Sequence, residues 1–255
     1  MFRNGRNVTA VIALIVLSVT STVLVSCGDN SSDASQENRP LTVDEAGVLA
    51  QVLYNNYELG GADFVVTSLT EPGGPQVQLQ GIIDWRNHIG QAFVKASLPD
   101  AQLSEVYWQT SFAAERRPAL DQILMGQGSS PEPFLVRAPN MNLRLDQMLA
   151  VVTGLAIQQP ENAQLILQNP STEFVRNDTL AGTDVMVLRY GKRSLYWVAI
   201  DSGRLLRFEG NNEQGTLPII VDLPVAGPRT VDFPTEDHFI AQGDLGELGS
   251  VITTW

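Results

Sequence analysis

The chain of 255 residues has a single cysteine, Cys27, so no internal disulfide can form. A domain of about 200 residues does without one, because it buries enough apolar surface on its own. Basic residues are scarce: 16 Lys and Arg stand against 28 Asp and Glu. That balance excludes nucleic acid as a partner, which needs a basic footprint. Only two histidines occur, His88 and His238. One falls in a predicted turn and the other near the tail, and both read as exposed and idle. No His, Cys, Asp or Glu group has metal-ligand spacing. G-x-S-x-G, P-loop and G-x-G-x-x-G patterns are absent. Carboxylate pairs such as Glu236/Asp237 read as solvated surface. No catalytic residue and no metal ligand is therefore assigned, and a non-enzymatic role is expected. A Ser-His-Asp arrangement assembled only in space leaves no trace in chain order, so an envelope hydrolase stays as a remainder.

What is present is concentrated first at the amino end. Arg3 and Arg6 form a short basic segment, Asn7 to Ser26 carries no charge, and Val11 to Leu17 is wholly aliphatic. This is the layout of an export signal. The run is also about long enough to span a bilayer, so an uncleaved anchor is the alternative. Ser18, Thr20, Ser21 and Thr22 dilute its second half, and it ends in a small residue directly before Cys27. Leu24-Val25-Ser26-Cys27 resembles the lipobox of bacterial lipoproteins. That resemblance implies cleavage before Cys27 and a covalent diacylglyceryl group on its thiol, with no other cofactor. It places the protein on the extracytoplasmic face of the cell membrane. Loss of Arg3 and Arg6 leaves 14 basic against 28 acidic residues, a formal charge of −14. Adhesion to anionic lipid is then disfavoured, and the acyl group becomes the hold on the membrane.

Residues 1–26 thus read as a signal peptide and 27–40 as a flexible polar tether. Residues 41–240 read as one domain and 241–255 as a loose, Gly-rich and acidic tail. Within the domain, Thr42 and Glu45 make a capping-box pattern, and Ala46, Leu49, Ala50, Leu53, Tyr54 and Tyr57 follow at helical spacing. Gly60-Gly61 ends that helix. Strands are expected at Phe64 to Leu69, Val77 to Trp85, Gln91 to Leu98 and Ser104 to Phe112. Pro118 to Pro139 reads as a loop with one helical turn at Leu120 to Met125. Asn142 is the expected N-cap of an amphipathic helix carrying Leu143, Leu145, Met148, Leu149, Val152, Leu155 and Ala156. A short helix from Pro160 to Leu167 precedes strands at Val185 to Tyr190, Leu195 to Ile200, Leu205 to Phe208, Leu217 to Leu223 and Thr230 to Phe233. Short connections predict an antiparallel sheet, and segregated strands and helices give an α+β class.

The carboxyl-terminal strands are apolar on both faces. Leu195, Trp197 and Ala199 point one way, and Tyr196, Val198 and Ile200 the other. A sheet with one wet face should alternate apolar and polar residues, so both faces need cover. Two readings remain open here. Helices and sheet pack into a solid core, or a cavity between them holds acyl chains, whose burial contributes about 0.8 kcal/mol per methylene.

The order of elements resembles the LppX/LprG-type envelope lipoproteins of actinobacteria, within the wider LolA/LolB-like group. The residues that carry it are the early helix Val43 to Tyr57, the stretch Leu143 to Leu155 followed by Pro160 to Leu165, and the closing run Leu195 to Arg207. There a Trp-bearing strand turns through Asp201-Ser202-Gly203 into a strand with Leu and Arg. The resemblance implies a curved antiparallel half-barrel, LolA-like, with helices packed over its concave face around an apolar cavity for lipid or lipoglycan acyl chains. Phe93, Trp108, Leu149, Val152, Leu155, Trp197 and Phe208 are the candidate cavity residues, chosen by type and position. An envelope transporter or regulator is a further expected partner. A structural or protein-binding lipoprotein with a solid core is the alternative function.

Overall fold

The computed structural model describes residues 38–97, 103–116, 121–122, 125–126, 134–211, 215 and 217–241. They belong to a compact unit, Gln36–Trp255. Cys27, the signal, most of the tether, the tail after Ala241 and most of the Pro118 to Pro139 segment lie outside the described residues.

The first helix, α1 (Val43–Leu59), begins as its sequence predicts. The Glu45 amide donates to Thr42 Oγ1, and the Thr42 amide donates to Glu45 Oε2, closing the capping box. Gly60 ends it in the left-handed region at φ 84°, a conformation that costs glycine little. Four antiparallel strands follow: β2 (Gly61–Leu69), β3 (Gln76–Asp84), β4 (Ile89–Ala96) and β5 (Ser104–Trp108), after a two-residue β1 (Arg39–Pro40). Two four-residue strands come next, β6 (Ala113–Arg116) and β7 (Phe134–Arg137). The helices α2 (Arg144–Gly154) and α3 (Ala163–Gln168) separate them from β8 (Glu173–Leu180), β9 (Thr183–Tyr190), β10 (Ser194–Ala199), β11 (Leu205–Gly210) and β12 (Ile219–Ala226). A last strand, β13 (Phe239–Ala241), closes the described chain.

Among the described residues thirteen strands form one open, curved sheet in the order β1-β8-β9-β10-β11-β12-β2-β3-β4-β5-β6-β7-β13. The pairing of β12 with β2 joins the late meander to the early one. Both edges are short, of two and three residues, which limits their capacity to recruit another chain. The sheet is antiparallel except at one pair: β13 runs parallel to β7.

Five readings of the sequence are corrected here. β6 and β7 lie within the segment read as loop and its approach, where four-residue strands between prolines leave no periodic signal. β8 goes unread because Arg176, Asn177 and Asp178 make it polar, and a register shift between Phe174 and Arg176 breaks its period. Thr230 to Phe233 is not a strand. Phe233 instead stacks edge-on against Tyr107 and Phe112, at centroid distances of 5.5 Å each. The N-cap of α2 is Leu143 rather than Asn142, without a side-chain cap. Finally, β13 and its parallel pairing replace the expected all-antiparallel sheet.

The helices α1, α2 and α3 lie against one face of the sheet. The buried cluster on this face takes Phe64 and Val66 from β2, Leu79 and Ile83 from β3, Val106 and Trp108 from β5, and Tyr196 and Val198 from β10. Leu49 and Val52 of α1 and Leu145, Met148, Leu149 and Val152 of α2 meet them. The opposite face carries a smaller cluster of Val175, Val185, Val187, Trp197, Ala199 and Leu206, all on β8 to β11.

Candidate functional site

The layer between helices and sheet is filled along most of its length. Trp85, just past β3, is fully buried, and its indole N–H donates to the Val152 carbonyl at 3.0 Å. Asn56 of α1 donates to the Leu155 carbonyl at 2.7 Å, and the Ile157 amide to the Leu53 carbonyl. These contacts tie α1 to the end of α2 directly over the sheet.

The packing opens at the other flank of α2. A pocket of about 320 Å³ lies between α2, the end of β5, the start of β6 and the segment that enters α2. Trp108, Phe112, Ala113, Met141, Leu149 and Ala150 make its walls mainly apolar, and Gln109 and Thr110 sit on the β5–β6 connection. Trp108 forms one wall because Gly90 faces it in register. A Cβ at Gly90 would stand 2.1 Å from Trp108 Cζ2, so only glycine lets the indole lie there. Phe64 meets the indole edge-on at 5.9 Å, and the Trp108 indole N–H donates to Thr153 Oγ1 at 3.0 Å. Thr153 in turn donates to the Leu149 carbonyl, so ring, helix and pocket wall are locked together.

Beside the pocket lies a buried ionic group. Glu115 of β6, Arg137 of β7 and Asp146 of α2 have side chains 2%, 5% and 3% exposed. Arg137 donates from Nε to Glu115 Oε1 at 2.7 Å, from Nη2 to Asp146 Oδ1 at 2.7 Å and from Nη1 to Asp146 Oδ2 at 2.5 Å. The Asn140 amide donates to the same Oδ2. Asp146 therefore stands where an N-terminal cap is missing, its charge at the favourable end of α2. Burial works against the Arg137 charge, but the Asp146 and Glu115 carboxylates outweigh it and hold its pKa above the ordinary value. A second buried guanidinium, Arg144, is held by neutral oxygens: Ser68 Oγ, the Leu69, Leu217 and Pro218 carbonyls, and Gln147 Oε1. Burial lowers its pKa.

Of the seven candidate cavity residues, Trp108 and Leu149 line this pocket. Val152, Leu155 and Phe208 sit in the filled core on the same face. Trp197 lies on the opposite face, and Phe93 is 44% exposed there, paired in register with Gln80 and Glu105. The seven therefore do not line one cavity. Asp146, Ala150 and Thr153 were not singled out from the sequence. Their spacing with Leu149, at intervals of three and four, marks one stripe of a helix and was the available signal. His88 sits half-buried in the β3–β4 turn at φ 54°, and His238 is exposed. Among the described residues no group of three His, Cys, Asp or Glu side chains is gathered as metal ligands are. A larger hollow of about 600 Å³, around Arg189, Lys192, Arg193 and Glu209, is as polar as it is apolar and lies on the opposite face from α2.

No family profile matches the sequence, and no curated protein is similar to it. Among solved structures, the chain is similar to the lipoprotein LppX of Mycobacterium tuberculosis, at 10% identity and a TM-score of 0.47 over 73% of this chain and 97% of that one. A Vibrio parahaemolyticus domain assigned to outer-membrane lipoprotein sorting matches at 9% identity and a TM-score of 0.31, over 77% and 96%. MucA/MucB of Pseudomonas aeruginosa, a complex, gives 14% identity and a TM-score of 0.33, over 76% of this chain and 59% of that one. At these values the likeness carries no functional assignment. No helix among the described residues is long and apolar enough to cross a membrane.

Proposed function

We propose that this is a lipid-anchored, extracytoplasmic binding protein that takes an apolar chain into the pocket beside α2 and performs no chemistry on it. The observation that carries this reading is the pocket itself. It is an apolar opening of about 320 Å³ beside a helix–sheet layer whose described core residues are buried. Sites for small ligands run from roughly 300 to 1,000 Å³, so this one suits a single acyl segment rather than a whole multi-chain lipid. Cys27 carries the covalent lipid, and the polar segment to Pro40 lets the domain stand away from the bilayer.

Extraction of the purified lipoprotein with organic solvent, followed by mass spectrometry, should release a non-covalent acyl compound. The discriminating variant is Ala150→Trp. Ala150 is exposed on α2 and lines the pocket, so an indole there fills the space without entering the core. Ala150→Trp should abolish co-purification of the compound and leave the melting temperature close to wild type. A wild-type protein that releases no such compound, and fails to take up a fluorescent acyl probe, refutes the reading.

The filled core between Trp85, Val152 and the sheet favours a second reading, a protein-binding envelope lipoprotein. On that reading a partner inserts one apolar side chain into the same pocket. Ala150→Trp would then break a protein complex, and the wild type would carry no extractable lipid.

A further inference from the structure

We infer that the pocket beside α2 accepts amphiphiles with an uncharged head and turns away anionic ones, with Asp146 setting that preference. The inference rests on the pocket being a site for an apolar chain. Among the described residues, its walls hold one charged side chain, Asp146, and no Lys, Arg or His. The guanidinium behind that wall, Arg137, is already engaged. Its two terminal nitrogens donate to Asp146 and its Nε to Glu115. It is also 5% exposed and cannot swing out to meet a ligand without leaving two buried carboxylates behind. An anionic head that followed its chain inward would face a carboxylate and, among the described walls, find no cation that is not already engaged, in surroundings where charge interactions are stronger than in water. The formal charge of −14 on the mature chain adds repulsion at longer range. A hydroxyl, ester or amide head meets no such penalty. Gln109 and Thr110, on the connection that forms the rim, offer it both donors and acceptors. Asp146 itself is the wrong residue to remove, because it also holds Arg137 and the Asn140 amide. Thr110 is exposed, so a cation can be added there without touching the core.

The test uses the full-length lipoprotein in phosphatidylcholine liposomes. Two photoactivatable probes share one alkyl chain with a diazirine and differ only in the head, a hydroxyl in one and a permanently charged sulfonate in the other. After irradiation, cross-links within residues 109–113 and 139–154 are quantified by mass spectrometry. Each is normalised to cross-links on the phosphatidylcholine, which corrects for partitioning. The alcohol should label these segments at least about tenfold more than the sulfonate. Thr110→Lys should narrow that ratio severalfold. Equal labelling by the two probes overturns the preference and leaves the apolar-chain site standing. Labelling by neither overturns both. A ratio that Thr110→Lys does not move overturns the electrostatic origin assigned to Asp146.

Discussion

Replacing Arg137 by methionine tests the buried ionic group where its energetics are largest. Arg137 joins β7 to β6 through Glu115 and to α2 through Asp146, and all three side chains are nearly inaccessible. Methionine keeps much of the volume and removes the positive charge. Two buried carboxylates then lose their guanidinium, and breaking such a pair from one side costs about 3–5 kcal/mol. For a domain of about 200 residues, each kcal/mol corresponds to roughly 2–4 °C, so the melting temperature should fall by about 6–20 °C. Thermal and urea unfolding of the chain without its signal and Cys27, followed by circular dichroism, measure the loss. The reasoning also makes a second demand. The triple variant Glu115→Leu, Arg137→Met, Asp146→Leu removes every charge together, and hydrophobic replacement of a buried ionic group is commonly neutral or stabilising. It should recover most of the deficit. It should fall short by about 1 kcal/mol, because the Asn140 amide loses its acceptor. A single variant that loses less than about 1 kcal/mol refutes this account, as does a triple variant no more stable than the single one.

Gly90→Ala should cost about 1–3 kcal/mol, because its Cβ meets the Trp108 ring. The ring must then move toward α2, so acyl-probe uptake should fall further than the fraction unfolded explains. Glu45 titrates at about 2, below its ordinary 4.5, chiefly because Arg39 hydrogen-bonds its carboxylate. A lowered folded-state value means its contribution is complete above pH 4.5 and is lost as pH falls toward 2. The gap in urea midpoint between wild type and Glu45→Gln should therefore shrink between pH 7 and pH 3, and a constant gap counts against the assignment. Arg144→Met should cost about 2–3 kcal/mol, since several buried oxygens lose a charged donor. Hydrogen exchange should accelerate at Ser68, Leu69 and the start of β12 more than in β9 or β10, and a uniform acceleration argues against a local role.

The early half of the fold was legible because its signals are local. The Thr42/Glu45 box, the Gly60 stop and the strict alternation from Val77 to Trp85 each depend on neighbours a few residues away. Their elements appear close to where the sequence places them. β6, β7 and β13 were not legible for the converse reason. Each has three or four residues, too few for a period, and β7 and β13 are held by partners far along the chain, as Phe239 is by Phe134, while β6 adds to its local hairpin with β5 a pairing with β7. The candidate pocket was legible only in part. Trp108 and Leu149 were chosen by type, and both line the pocket. Asp146 escaped because the polar member of an apolar stripe looks like surface until Arg137 is placed opposite it.

The two-sided strands call for a different explanation from a lipid-filled cavity. Both faces of β8 to β11 are apolar, yet the helices lie on only one of them. On the other, Trp197 is covered by cations. Arg176 and Arg207 place their guanidinium carbons 5.1 and 5.5 Å from its ring centroid. Each is held by a neighbouring carboxylate, Arg176 by Asp178 and Arg207 by Asp222. Arginine stems can cover apolar surface while their heads stay at the solvent edge, so among the described residues Trp197 is covered on this face by arginines rather than by a helix. Apolar character on the outer side of these strands therefore says nothing about volume on the inner side. The open space lies instead at β5 and β6, where α2 lies beside small residues such as Ala113 and the lone glycine opposite Trp108. The opening in this fold thus lies where a small residue, Ala113, stands beside α2, and where Gly90 lets Trp108 form the wall, rather than where a strand is most apolar.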